Sequence, residues 1–324
     1  MRVEGRGAGA GKVILLGEHA VVYGVPAIAA GLDRGAQASA RVSETASTLQ
    51  IGGRLVHADG DAQDELAKAF AALLAAHPLP AAVAVEASCE LPPGGGLGSS
   101  AALGVAIARA LESLEETPDA AHVAARAAAW ESVFHGNPSG IDATAALRGG
   151  CFVYRRDEGA RPLQLAAELW LCIGKSGPGA STRGMVESVA RLFARRPETQ
   201  KSTLEAILAL VKNAELALEA GDLTGLGRLM DLNQMLLAGL MVSTEEIERM
   251  CVLARENGAL GAKLTGAGGG GAVVALCASK RADALELTDT DAAAAAERIL
   301  AAWRTAGFEG LVARVRRGEA QETP

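Results

Sequence analysis

The sequence predicts a two-domain protein in which helices and strands are mixed. Three observations predict it. At 324 residues with 49% apolar side chains, the chain can bury more than one core. Its first half mixes short strand-like runs with helical ones, whereas its second half reads as several helices framed by a few strands. No internal repeat or low-complexity linker divides it, so the boundary has to be a change of pattern. Arg155, Arg156, Asp157, Glu158, Gly159 and Pro162 interrupt the pattern, which places a hinge near residues 155–168 and domains at 1–162 and 163–324.

Strands are expected in the first half at residues 13–16, 38–42, 83–88 and 151–154. Residues 64–77 put Leu66, Phe70, Leu73 and Leu74 on one helical face, with Pro78 just past the end, so this helix should cover a sheet. An alanine-rich helical run ends near Leu111. Thr117-Pro118-Asp119 reads as an N-cap, a proline at the first helical position and an acid in the first turn, opening a helix to about Phe134 that Gly136 and Pro138 stop. In the second half a strand at 169–174 precedes a helix over 201–220, closed by Gly221. Another helix reaches about Met241, and Ser243 with Glu246 makes a capping box for a third that Gly258 ends. Strands at 272–277 and 311–315, with a helix between them, complete the pattern.

The formal charge of −7 and the lack of a basic stripe argue against a nucleic-acid partner, because phosphate backbones are gripped by clustered cations. Five cysteines, scattered and without C-x-x-C spacing, read as reduced core residues. Residues 1–11 hold no apolar stretch of signal-peptide length, and no apolar run is long enough to span a bilayer, so a cytoplasmic enzyme is expected.

The most informative segment joins a strand-like run to the alanine-rich helix: Leu91-Pro92-Pro93-Gly94-Gly95-Gly96-Leu97-Gly98-Ser99-Ser100-Ala101-Ala102. Its glycines permit positive φ and close backbone approach, and it delivers amides to a helix N-terminus, where partial positive charge favours an anion. A triphosphate fits that geometry. The segment has neither G-x-x-x-x-G-K-[ST] nor a dinucleotide fingerprint.

Two further segments carry chemistry-bearing residues. Gly11-Lys12-Val13-Ile14-Leu15-Leu16-Gly17-Glu18-His19-Ala20-Val21-Val22-Tyr23-Gly24 sets Lys12 before an apolar strand and Glu18-His19 after it. Lys263-Leu264-Thr265-Gly266-Ala267-Gly268-Gly269-Gly270-Gly271 precedes another apolar strand. In this order and at these separations, the three segments resemble the signature motifs of the GHMP kinases, which include galactokinase, homoserine kinase and the mevalonate and phosphomevalonate kinases. A fourth, Glu131-Ser132-Val133-Phe134-His135-Gly136-Asn137-Pro138-Ser139-Gly140-Ile141-Asp142, resembles the acidic motif of the mevalonate-phosphorylating members.

The resemblance spans almost the whole chain and implies an α+β, two-domain GHMP kinase fold. The amino-terminal domain would resemble the second domain of ribosomal protein S5, with a left-handed βαβ crossover that runs against the usual hand, and the carboxyl-terminal domain would be ferredoxin-like. The activity implied is transfer of the terminal phosphoryl group of ATP to the primary hydroxyl of mevalonate. Phosphomevalonate or homoserine as acceptor, and a nucleotide-binding sensor without turnover, stand as alternatives.

By the same resemblance, Asp142 is the catalytic base or orienting group and Lys12 its neighbour, and Ser100 and Glu131 hold Mg²⁺. Pro93, Gly94, Gly95, Gly96, Leu97, Gly98, Ser99, Ser100 and Ala101 would form the ATP loop. Glu18, His19, Ser181, Thr182, Gly266, Ala267 and Gly268 would line the acceptor pocket, the last three closing the cleft from the second domain. A homodimer is compatible with the family. One departure is that Ala10 stands where the family commonly has proline, and the lead-in Gly7-Ala8-Gly9 is expected to be unusually flexible.

Overall fold

A computed structural model of the chain describes residues 2–61, 63–92, 94–135, 140–277 and 289–317. It divides into two compact units, neither of them contiguous in sequence. The first comprises Met1–Lys12, Arg34–Pro93 and Gly98–Gly149, and the second Val13–Asp33, Gly94–Leu97 and Gly150–Pro324.

The first unit takes residues up to Lys12 from β1 (Glu4–Leu16) and residues from Arg34 onward from β2 (Ala27–Ser43). It continues with β3 (Thr48–Ile51), β4 (Arg54–His57), α1 (Glu65–Ala76), β5 (Ala82–Cys89), α2 (Ser99–Glu112), α3 (Ala120–His135) and α4 (Ile141–Arg148). The strands run in the order β4-β3-β5-β2, with β3 parallel to β5. Helix α1 begins where the sequence predicts, because the Asp64 carboxylate accepts from the Leu66 and Ala67 amides at 2.9 and 3.4 Å. Phe70 and Leu73 are fully buried in one cluster with Leu49, Val85, Leu111 and Trp130, and such side chains contribute about 1.5–3 kcal/mol each.

The glycines of β1 are not a flexible lead-in. They alternate along a strand that lies directly on the backbone of α2. A Cβ on Gly5, Gly7 or Gly9 would stand 2.1, 2.3 or 2.1 Å from the carbonyl oxygens of Ala110, Ala106 and Ala102 respectively. Strand period two on one side and helix period four on the other bring small residues face to face. The cap of α3 also differs from expectation. Asp119, not Thr117, opens the helix, its carboxylate accepting from Ala121 N at 2.7 Å while its own amide donates to Glu112 Oε1 at 2.8 Å. Gly136 and Pro138, expected to stop α3, lie outside the described residues.

The second unit holds residues 13–16 of β1, a tight 3₁₀ turn at Ala20–Tyr23 and the start of β2. It continues with β6 (Cys151–Arg155), β7 (Gly159–Leu163), β8 (Leu169–Gly177), α5 (Thr182–Arg195), α6 (Pro197–Ala220), α7 (Leu223–Gly239), α8 (Glu245–Glu256), β9 (Ala259–Thr265), β10 (Gly271–Cys277), α9 (Asp289–Thr305) and β11 (Glu309–Val315). Among the described residues β11-β8-β10-β9 form an antiparallel sheet. The residues that interrupt the sequence pattern after Arg155 fold as a hairpin, with Arg155 opposite Gly159. Helix α8 is capped by Thr244, whose hydroxyl accepts from Ile247 N at 3.3 Å, while the hydroxyl of Ser243, the expected cap, donates to Glu248 at 2.6 Å.

Strand β9, which the sequence pattern misses, is held by α7. Asp231 Oδ1 accepts from Ala262 N at 2.9 Å and Gln234 Oε1 from Leu264 N at 2.8 Å, so two side chains three residues apart on the helix replace the carbonyls of a neighbouring strand. The five cysteines are free thiols. Burial pushes Cys151 and Cys251 up to about 12, which keeps them protonated and unreactive at neutral pH.

If β1 needs its glycines for contact and not for mobility, Gly9→Ala is expected to destabilise the protein by about 2 kcal/mol or more. Gly239→Ala, where a Cβ meets nothing within 4 Å, is expected to raise stability slightly, by up to about 1 kcal/mol. Urea unfolding of both variants checks the contrast, and equal tolerance would mean that the strand does not rest on the helix.

Candidate active site

Within the first unit, the sequence-predicted residues Lys12, Ser99, Ser100, Glu131 and Asp142 come together. Lys12 is buried near the middle of β1. Asp142 lies in the first turn of α4, and its Oδ1 is 2.9 Å from Lys12 Nζ. Gly98, in the left-handed region at φ 71°, turns the chain into α2. A side chain there would meet both partners, since a Cβ would stand 3.3 Å from Lys12 Cβ and 3.9 Å from Asp142 Cβ. The glycine turn therefore brings the first amides of α2, which no side chain caps, up to the Lys12–Asp142 pair.

Ser99 and Ser100 are the first residues of α2, followed by buried Ala101. Ser100 Oγ donates to Glu131 Oε1 at 2.6 Å. Glu131 is almost completely buried near the end of α3, far from the exposed position an ordinary helix acid takes. Its neighbour explains why. Trp130 packs where α2 carries Gly104, at which a Cβ would lie 2.5 Å from the indole ring, and its Nε1 donates to Ser100 O at 3.0 Å. One residue further along, the Glu131 carboxylate is carried to the Ser100 hydroxyl.

The remaining predicted residues belong to the second unit, apart from Pro93, which lies outside the described residues. Of the glycine segment, Gly94, Gly95, Gly96 and Leu97 are grouped here. A Cβ on Gly96 would stand 3.7 Å from Thr265 O, and one on Gly266 3.8 Å from Gly96 O, so this stretch runs along the loop of Gly266, Ala267 and Gly268. Ser181 and Thr182 are exposed at the start of α5, where Ser181 Oγ accepts from Gly184 N at 3.1 Å as the N-cap.

Glu18 and His19 are buried. The Glu18 carboxylate accepts from Lys263 Nζ, which also donates to Leu264 O at 2.6 Å. Burial pushes the Lys263 ammonium down from its ordinary range, and the Glu18 carboxylate opposes that. Sequence reasoning quoted Lys263 as part of a motif but did not find this pairing. A lysine in an otherwise apolar stretch was its only trace.

His19 Nε2 lies 2.8 Å from Ala267 O. A carbonyl can only accept, so Nε2 carries the proton and Nδ1 of the neutral ring is a hydrogen-bond acceptor. Burial lowers the pKa of the ring, the Ala267 carbonyl raises it, and the Lys263 charge lowers it further. Among the described residues no group of three or more His, Cys, Asp or Glu side chains gathers as a metal cage, and no helix is long and apolar enough to cross a membrane.

The sequence matches the profile described as "GHMP kinases N terminal domain" over residues 65–150 and that described as "GHMP kinases C terminal" over residues 214–307. A mevalonate kinase of Methanothermobacter thermautotrophicus is 37% identical over 274 residues, covering 82% of this chain and 88% of that protein. One of Aeropyrum pernix is 36% identical over 295 residues, covering 85% and 89%. Among solved structures, L. major mevalonate kinase in complex with R-mevalonate is similar at a TM-score of 0.84 and 30% identity, covering 99% of each chain.

Because the folded His19 titrates below its ordinary value of about 6.5, the unfolded chain takes up this proton first as pH falls. Its contribution to stability is complete above that ordinary value and is lost as pH falls through the folded one. The urea midpoint is therefore expected to drop between pH 7.5 and pH 5.5, and to drop less in His19→Gln. An unchanged pH dependence in that variant would show that the ring is not held neutral.

Proposed function

The chain belongs to the GHMP kinase family, and from that membership and the geometry around Lys12 we propose that it catalyses the ATP-dependent phosphorylation of the primary hydroxyl of mevalonate, giving 5-phosphomevalonate. The Lys12–Asp142 ion pair at 2.9 Å, beside the glycine turn that opens α2, supports this function most directly. Phosphoryl transfer needs an oriented nucleophile, neutralised phosphates and a destination for the hydroxyl proton. Asp142 accepts or orients that proton, and Lys12, fixed to it, stabilises the alkoxide as it forms. The loop of residues 93–101 receives the phosphates, and the amides of Ser99, Ser100 and Ala101 at the start of α2 favour their charge.

The pairing of Ser100 and Glu131 fits a magnesium ion that arrives with the nucleotide. Both donors are oxygens, 2.6 Å apart, with one carboxylate between them, and among the described residues no cage of three or more His, Cys, Asp or Glu side chains forms. When bound, the ion would neutralise phosphate charge as it develops. Ser100 and Glu131 would hold it, and the hydrogen bond between them keeps both oxygens on one spot beforehand. His19, Ser181, Thr182, Gly266, Ala267 and Gly268 take the acceptor, and Glu18, whose carboxylate is buried on Lys263, acts on it through His19. Neutral His19, with Nδ1 as a hydrogen-bond acceptor, suits a hydroxyl of the substrate better than its carboxylate, which leaves the carboxylate to donors such as Ser181 and Thr182.

An ADP-release assay with mevalonate, phosphomevalonate and homoserine tests the acceptor, and turnover is expected with mevalonate alone. Asp142→Asn is expected to lower kcat by about 10²-fold or more with ATP binding retained. Ser100→Ala is expected to raise the magnesium concentration needed for half-maximal rate. Near-normal turnover in Asp142→Asn would remove that residue from the reaction, and turnover of none of the three alcohols would contradict the function.

A further inference from the structure

We propose, resting on the reading of His19 as a contact of the substrate alcohol, that Lys263 is a positioning residue: through its buried ion pair with Glu18 it holds His19 in a strained backbone conformation with the ring's Nε2–H on Ala267 O.

The strain is in the backbone. His19 has φ 61° and ψ −42°, a region that residues with a side chain avoid and keep only where their surroundings enforce it. Three side-chain ties here run to one stretch of chain. Thr265 Oγ1 accepts from Ile14 N at 2.9 Å and donates to Ile14 O at 3.2 Å. Lys263 Nζ holds the Glu18 carboxylate, and Ala267 O receives His19 Nε2. Residues 14–19 are thus tied at three points to residues 263–267, two of them at the strained residue itself and at the residue before it. The anchoring stretch is itself fixed, because Asp231 and Gln234 bind the amides of Ala262 and Leu264 on either side of Lys263.

Stability alone is a poor reason for this pair. Both side chains are completely buried, and two charges taken out of water lose hydration that their attraction only partly returns, so apolar residues of the same size serve a core as well or better. A short ionic tie does constrain position. Lys263 also places a positive charge near the His19 ring, which disfavours the imidazolium and keeps Nδ1 able to accept.

Three variants test this: Lys263→Met, the charge-free pair Lys263→Met with Glu18→Gln, and Lys263→Met in a His19→Gln background. Lys263→Met strands a buried carboxylate and is expected to lower the urea midpoint, whereas the charge-free pair is expected to recover it. In both, the KM for mevalonate is expected to rise about tenfold, the loss of one hydrogen bond, with the KM for ATP unchanged. In the His19→Gln background, Lys263→Met is expected to raise the mevalonate KM no further. Nitrogen-15 spectra of the His19 ring are expected to show Nε2–H in the wild type and a mixture of tautomers in the charge-free pair. A structural role alone would shrink the active fraction and leave both KM values as they were. That result, or a wild-type tautomer in the charge-free pair, overturns the assignment. Because the ring spectrum is read without turnover, it tests Lys263 even if the wild type fails to phosphorylate mevalonate, an outcome that would instead refute the function.

Discussion

The contact on which the rest of the first unit depends is backbone against backbone, where β1 lies on α2. Gly5, Gly7 and Gly9 face the carbonyls of Ala110, Ala106 and Ala102 with no room for a side chain between them. Close packing of this kind fixes one element relative to the other with little freedom to slide, because any added atom has to displace main chain. The strand then delivers Lys12 to the start of the same helix, and Gly98 clears the space beside it. The same device recurs on the far side of α2, where Gly104 admits Trp130 and so sets Glu131 beside Ser100. The Lys12–Asp142 pair and the Ser100–Glu131 pair are thus both set in place by close packing at small residues of β1 and α2.

In the second unit the equivalent ties are polar. Side chains of α7 complete the hydrogen bonding of β9, and β9 with the loop after it in turn holds Ile14, Glu18 and His19 through Thr265, Lys263 and Ala267. Polar ties suit this purpose where small residues would not, since each is directional and fails if either partner moves. They also explain why Glu18 is buried. Its carboxylate is held by Lys263, and in the proposed function it acts on the acceptor through the neighbouring histidine.

Much of this was legible in the sequence, for reasons that differ by residue. Leu66, Phe70, Leu73 and Leu74, with Pro78 just beyond, declared α1 because helical period and a proline stop are local properties. The glycine turn into α2 was legible because glycines followed by two serines have few other uses. Lys12, Asp142, Ser100 and Glu131 were found by their resemblance to family motifs, since nothing local shows that residues 31 or 130 positions apart meet. What was missed depended on space and on distant partners. Gly7 and Gly9 read as flexibility, because a sequence shows that a side chain is absent but not what fills its place. Asp119 displaced Thr117 as a cap because Glu112, seven residues back, takes its amide. Strand β9 escaped because Gly261 and Lys263 break an apolar alternation, and its charged member is neutralised by Glu18, 245 residues away. Helix α5 was hidden by a segment read only for its hydroxyls.

The most direct measurement is the position of the metal. Crystals grown with Mn²⁺ and a non-hydrolysable ATP analogue would show the ion by its anomalous scattering. If the packing of β1 and α3 against α2 builds the phosphoryl-transfer site, the peak lies within coordinating distance of both Ser100 Oγ and the Glu131 carboxylate, with the Lys12–Asp142 pair intact. A peak remote from both oxygens, with their hydrogen bond still closed while nucleotide is bound, would contradict the account.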